Sequence, residues 1–132
     1  MKQAAIFFLI ALLFGCGEDV PDRDQFLGQY SVMEQCDDLG EFTYDITIGI
    51  SNMSEDKIEI ENFGDFNLSL HATVNGSQLI FDEYLAGIDA QIEGSGSISE
   101  ETVTINYVIT NQYQDIVGNT FSDSCLKTCS RL

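Results

Sequence analysis

Phe42-Thr43-Tyr44-Asp45-Ile46-Thr47-Ile48-Gly49-Ile50 places an apolar residue at every second position, with polar residues or glycine between. A period of two sends alternate side chains to opposite faces of an extended chain, so this stretch reads as a strand with one buried face. The same rhythm continues on both sides. Before it, Tyr30 and Val32 alternate with Ser31 and Met33. After it come Ile58 and Ile60, then Phe66, Leu68, Leu70, Ala72 and Val74, then Leu79 and Phe81. Ala90, Ile92 and Ile98 share a face with Gly94 and Gly96, and Val103, Ile105, Tyr107 and Ile109 form the seventh set. A less regular eighth strand is expected from about Ser122 to Leu132.

The punctuation fits this reading. Asn75-Gly76 between two alternating runs is a hairpin signal, because both residues tolerate the positive φ of a type I′ turn. Ser54-Glu55-Asp56 and Ser99-Glu100-Glu101 mark further tight connections. Gly94 and Gly96 lie two apart on the inward face, where missing side chains permit the sharp bend of a closing barrel. No segment after residue 25 has a helical period. Eight short strands in sequence predict an all-β, eight-stranded antiparallel up-and-down barrel, with a two-sheet β-sandwich as the alternative.

The amino terminus is different. Met1-Lys2-Gln3 is a short basic start, and Ala4 to Phe14 is an unbroken apolar run, too short for a membrane-spanning helix of about 20 residues. Gly15-Cys16 follows. Leu13-Phe14-Gly15-Cys16 resembles the lipobox of bacterial lipoproteins, in which a small residue precedes a cysteine whose thiol takes a diacylglycerol. Phe14 is bulkier than is usual at its place in that motif. The resemblance implies a signal peptide over 1–15, a lipidated Cys16 carrying acyl chains such as palmitate, and an acidic tether over 16–24 ahead of a domain at 25–132. Gly17 is not the aspartate that resembles an inner-membrane retention signal. An outer-membrane, lipid-anchored location in the cell envelope is therefore expected, on the periplasmic or the surface face.

Without Lys2 the chain keeps four basic residues against 22 acidic ones, a net charge of −18. Such a surface repels nucleic acid, which is held through Lys and Arg. It also disfavours lying flat on anionic lipid, so acyl chains alone are expected to provide the membrane contact. The acidic run Asp37-Asp38-Leu39-Gly40-Glu41 lacks the spacing of a calcium loop, and no metal or cofactor is expected.

Phe26-Leu27-Gly28-Gln29-Tyr30 resembles the G-x-W opening of lipocalin-like barrels, with tyrosine in place of tryptophan. A cysteine at the end of strand one, a glycine-rich strand six and Asp123-Ser124-Cys125 in the last strand are similar to small lipocalin-like domains of envelope lipoproteins. The resemblance spans nearly all of 25–132 and implies a barrel, with a small apolar ligand as one use of its interior. A transmembrane barrel would turn the same alternation inside out. Its lumen would hold Asp45, Glu59, Glu61 and Glu93, its strands lack paired aromatic girdles, and a lipid anchor would be redundant on it.

Catalytic signals are sparse. His71 stands on the polar face of strand four with no nucleophile motif near it, and the inward faces read as holding no ionisable group beyond tyrosine hydroxyls. No enzyme activity is expected. Three cysteines follow Cys16. Barrel closure brings Cys36, at the end of strand one, beside Cys125, early in strand eight. Cys125 and Cys129, four apart on a strand, lie about 13 Å from each other, beyond the ~7 Å limit for a bridge. A Cys36–Cys125 disulfide is predicted, with Cys129 free or buried. Connections alternate between the barrel ends, so the longer, more apolar loops face away from the tether, where function commonly sits. They carry Phe63, Tyr84, Leu85, Ile88, Tyr113 and Ile116, the candidate binding residues; the alternative is that these side chains plug the barrel end as core. The expected function is a non-enzymatic interaction module contacting an envelope protein or glycan, with a carrier of a small apolar ligand as the alternative.

Overall fold

The computed structural model describes residues 20–114 and 120–132, with the backbone alone over 112–114. The signal segment, Cys16, the first part of the tether, Ile116 and the Tyr113 side chain lie outside the described residues. Eight strands follow one another: β1 Gly28–Cys36, β2 Gly40–Ile50, β3 Lys57–Glu61, β4 Leu70–Asn75, β5 Gln78–Leu85, β6 Ala90–Ser99, β7 Thr102–Gln114 and β8 Thr120–Arg131. Each pairs antiparallel with its sequence neighbours, and β1 pairs with β8, so the sheet closes as an up-and-down barrel. Closure removes the sandwich alternative. It also pairs most of the strand edges that an open sheet leaves available to other chains, although β3 pairs with β2 only over Thr47–Ile50 and β4 with β5 only over Gln78–Ile80.

The alternation becomes an inside and an outside. Tyr30, Val32, Ile46, Ile48, Ile58, Ile60, Leu70, Ile92, Val103 and Ile105 are all buried in one core. Fully burying an Ile, Val or Leu side chain is worth roughly 1.5–3 kcal/mol, so this common core is what holds the register. On β6, a Cβ at Gly94 would lie 2.3 Å from the Asn106 carbonyl oxygen, and one at Gly96 would lie 2.7 Å from the Thr104 carbonyl oxygen. Only glycine lets β6 approach β7 so closely.

Several local expectations are corrected. Phe42 and Ile50 share the inward parity of β2 but are 39% and 52% exposed. The reason is the reach of the neighbouring strands: β3 covers β2 only from Thr47 to Ile50, and β1 covers it only as far as Ile48. Phe66 and Leu68 do not belong to β4. The chain from Asn62 to Asn67 takes left-handed φ at Asn62, Gly64, Asp65 and Asn67, a backbone that Asn, Asp and Gly tolerate, and folds into a 3-10 turn at Phe63–Asp65. Phe66 and Leu68 pack, half-buried, against the core from this turn. The hairpin between β4 and β5 turns at Gly76-Ser77, because Asn75 already pairs with Gln78; only Gly76 has positive φ, +62°, so the turn is not the expected type I′ pair. β8 starts at Thr120 and alternates as regularly as the other strands.

Both barrel ends carry an aromatic stopper. At the tether end, Asp22–Phe26 forms a 3-10 helix, so the last three residues assigned to the tether are folded. The helix is pinned across the opening: Gly76 N donates to Asp22 Oδ2 (3.0 Å), Gln25 Nε2 donates to Gly76 O (2.6 Å), and Arg23 Nη1 donates to the Ser54 carbonyl (3.0 Å). This seats Phe26, fully buried, in the end of the core. Tyr30 sits above it, its hydroxyl donating to the Phe26 carbonyl, with the Arg131 guanidinium 5.0 Å from its ring centre. At the far end Phe63 is fully buried, edge-on to Phe81 (5.5 Å) and Tyr107 (4.9 Å).

Candidate functional site

The interior is not wholly apolar, contrary to the reading of its faces. Glu34 and Lys127 point inward and are 2% and 0% exposed. They are register partners on β1 and β8, with Lys127 Nζ 2.7 Å from Glu34 Oε1. The same carboxylate oxygen accepts from the hydroxyls of Tyr44 (2.9 Å) and Tyr107 (2.8 Å). Lys127 Nζ also donates to the Tyr44 hydroxyl, and it stands 3.9 Å from the Phe63 ring centre. A buried charge is tolerated only when paired and hydrogen-bonded, and this one is enclosed by a carboxylate, two phenols and three rings.

The surroundings shift the titrating groups. Burial pulls Lys127 below the usual lysine value, while Glu34 pushes back. Burial, followed by the Glu34 charge, drives the Tyr44 and Tyr107 phenols upward. Burial also pushes the Cys129 thiol up to about 12. The two phenols and the thiol are thereby held protonated, and Glu34 and Lys127 are buried.

The predicted disulfide is present, joining Cys36 and Cys125 directly across β1 and β8, while Cys129 is a buried free thiol. Beside the bridge, Asp123 is buried and its carboxylate accepts from the amides of Asp38 and Leu39, each at 2.9 Å, fixing the β1–β2 turn. The acidic run at 37–41 is thus a turn tied down by an inward aspartate. His71, half-buried, places Nδ1 3.2 Å from Glu83 Oε1 on the outer face.

The candidate loop residues do not form one surface. Phe63 and Leu85 are core, at 0% and 7% exposure, so neither offers a side chain to a partner. Ile88 is half-buried against the core. Tyr84 is exposed, and its hydroxyl donates to Asp89 Oδ1 in the β5–β6 turn. Tyr113 and Ile116 fall outside what is described.

A groove lies elsewhere, and alternation alone does not reveal it. It is open, has a volume of about 1200 Å³ and runs across β5, β6, β7, β8, β1 and β2. Its floor is a single register row, Phe81, Gly94, Tyr107, Cys125, Cys36 and Gly40. Its walls are the residues immediately before and after that row, among them Ile80, Asp82, Glu93, Val108 and Leu126, all outward and exposed. Inward residues two places along, such as Ile92 and Ile109, do not line it. The groove therefore lies on the outside of the barrel, over the disulfide.

Fold and geometry together define a small lipocalin-like barrel, closed and stoppered at both ends by aromatic side chains. No protein-family model matches the chain, and no curated protein does. Among solved structures it is similar to EF1p2_mFAP2b bound to DFHBI, with a TM-score of 0.60 and 12% identity over 86% of this chain and all of that one. It is also similar to a redesigned beta barrel, with a TM-score of 0.58 and 9% identity over 88% of this chain and 99% of that one. At such identities the likeness is one of fold.

Proposed function

We propose that the chain is a lipid-anchored protein of the bacterial cell envelope that works as a non-enzymatic binding module through the outside of its barrel. The observation that carries the binding half is the occupied interior. Phe26 fills one end, Phe63 the other, and Glu34, Lys127 and the tyrosines occupy the space beneath Phe63. An eight-stranded barrel is just wide enough to be filled by side chains or to hold one small ligand, and here side chains take the room. Recognition then falls to the outer walls and the tether-distal end, where Phe42, Tyr84 and Phe121 are exposed aromatics among the described residues.

A carrier of a small apolar ligand is the second reading. It is favoured by the fold shared with EF1p2_mFAP2b, which holds DFHBI. Here such a ligand would have to displace Phe63 and uncover a buried ion pair.

The anchoring half rests on the basic start, the apolar run and Gly15-Cys16. A Cys16→Ser precursor, expressed in a Gram-negative host and fractionated, is expected to leave the outer-membrane fraction and to lose palmitate labelling. A variant that stays with the membrane as the parent does would remove lipidation from the account.

A further inference from the structure

We propose that the outer groove is the docking site for an extended, cationic segment of a partner protein, one in which Lys or Arg alternates with aliphatic residues. The inference rests on the external-binding reading above and adds the place and the chemistry of the partner. Four ionisable wall residues, Asp37, Glu41, Asp82 and Glu93, are all carboxylates, and no Lys or Arg lines the groove. The described basic residues lie elsewhere: Arg23, Lys57 and Arg131 sit at the tether end, and Lys127 is inside the barrel. A cationic chain therefore meets no like charge along the groove, and the surrounding acidic surface steers it inward.

The same walls carry Ile80, Val108 and Leu126, which are 63%, 40% and 38% exposed. Large aliphatic residues on both sides of a charged trough suit a ligand with apolar as well as cationic side chains. A small polyamine would use only the carboxylates. The floor is rigid, since the Cys36–Cys125 bridge crosses it and β6 is pressed onto β7 at Gly94. A preformed site loses less ordering free energy on binding. Six strands at about 4.8 Å spacing give a path of roughly 24 Å, the length of about seven extended residues at ~3.3 Å each. An extended chain presents alternate side chains to opposite sides, so apolar residues at period two face the floor while the long cationic ones reach the carboxylate lips. The strands that the groove crosses pair with one another along its row, so recognition there comes from side chains.

The test uses the mature protein and a fluorescein-labelled octapeptide of alternating lysine and valine, read by anisotropy at low ionic strength. Two variants address the groove, Asp82→Asn with Glu93→Gln and Ile80→Ser with Leu126→Ser. A third, Glu55→Gln with Glu100→Gln, removes two charges from the tether-end turns. All six positions are exposed, and circular dichroism melts check that each variant is folded. Each groove variant is expected to bind about tenfold more weakly, a difference of about 1.4 kcal/mol, and the tether-end variant to bind as the parent does. Equal weakening by the tether-end variant reduces the effect to net charge and overturns the proposal. So does spermine displacing the peptide from the parent and from the Ile80→Ser, Leu126→Ser variant with equal ease, or an octapeptide that does not bind. These failures leave external binding by some other face standing. That reading falls only if a stoichiometric apolar molecule is found inside the barrel.

Discussion

A Cys36→Ala, Cys125→Ala double variant is expected to lose about 4–5 kcal/mol of stability while keeping the barrel's strand content. The bridge spans 89 positions of chain, nearly the whole domain, and it joins the first strand to the last. In the chain-entropy account, such a link removes from the unfolded ensemble most conformations that separate the two ends of the sheet. The folded barrel has little need of it for geometry, because β1 and β8 already pair from Tyr30↔Arg131 to Cys36↔Cys125. The effect should therefore appear in equilibrium unfolding, with a fall in Tm of roughly 20 °C, and not in the far-ultraviolet spectrum. A loss below about 1 kcal/mol would mean that the unfolded chain is already compact around this pair.

The second large effect is inside. Lys127→Met is expected to destabilise the protein by about 3–5 kcal/mol, because it strands the Glu34 carboxylate in the core with two phenols and no cation. Adding Glu34→Gln should return at least half of that loss, since the amide oxygen still accepts from Tyr44 and Tyr107 and no unpaired charge remains. Urea unfolding of the parent, single and double variants measures this directly. A double variant no more stable than the single one would show that the pair is not coupled through charge.

Buried phenols and a buried thiol set the alkaline limit. Cys129, Tyr30, Tyr44 and Tyr107 have folded values raised above their unfolded ones, chiefly by burial. Their contribution is complete below about pH 8 and is lost as pH rises, because the unfolded chain releases those protons first, the thiol before the phenols. Lys127 is lowered and acts in the opposite sense, favouring the folded state as pH approaches the ordinary lysine value. Three phenols and a thiol oppose one amine, so stability falls above pH 9.

The strands were legible because burial on one face imposes a period of two, and six of the eight read clearly from apolar residues alone. The same rule, carried to polar residues, reaches the interior cluster. Glu34 lies two places from both Val32 and Cys36, and Lys127 lies midway between Cys125 and Cys129, so parity alone turns both inward. An apolar template passes over them, and β8 looks irregular only because its inward face is Asp123, Cys125, Lys127, Cys129 and Arg131. Phe63 offered a different clue. Asn62, Gly64 and Asp65 around it are residues that accept left-handed φ, which marks a turn able to fold an aromatic back over the barrel end. The groove had no local signal, since its row is assembled from six strands whose register only closure fixes.

The filled interior and the external binding proposed above stand or fall on native mass spectrometry of the protein taken gently from its own cells. The mature chain, with the acyl groups proposed for Cys16 and no further stoichiometric small molecule, is the predicted species. A lipid or other apolar molecule bound one to one, and lost together with the reordering of Phe63, would contradict it.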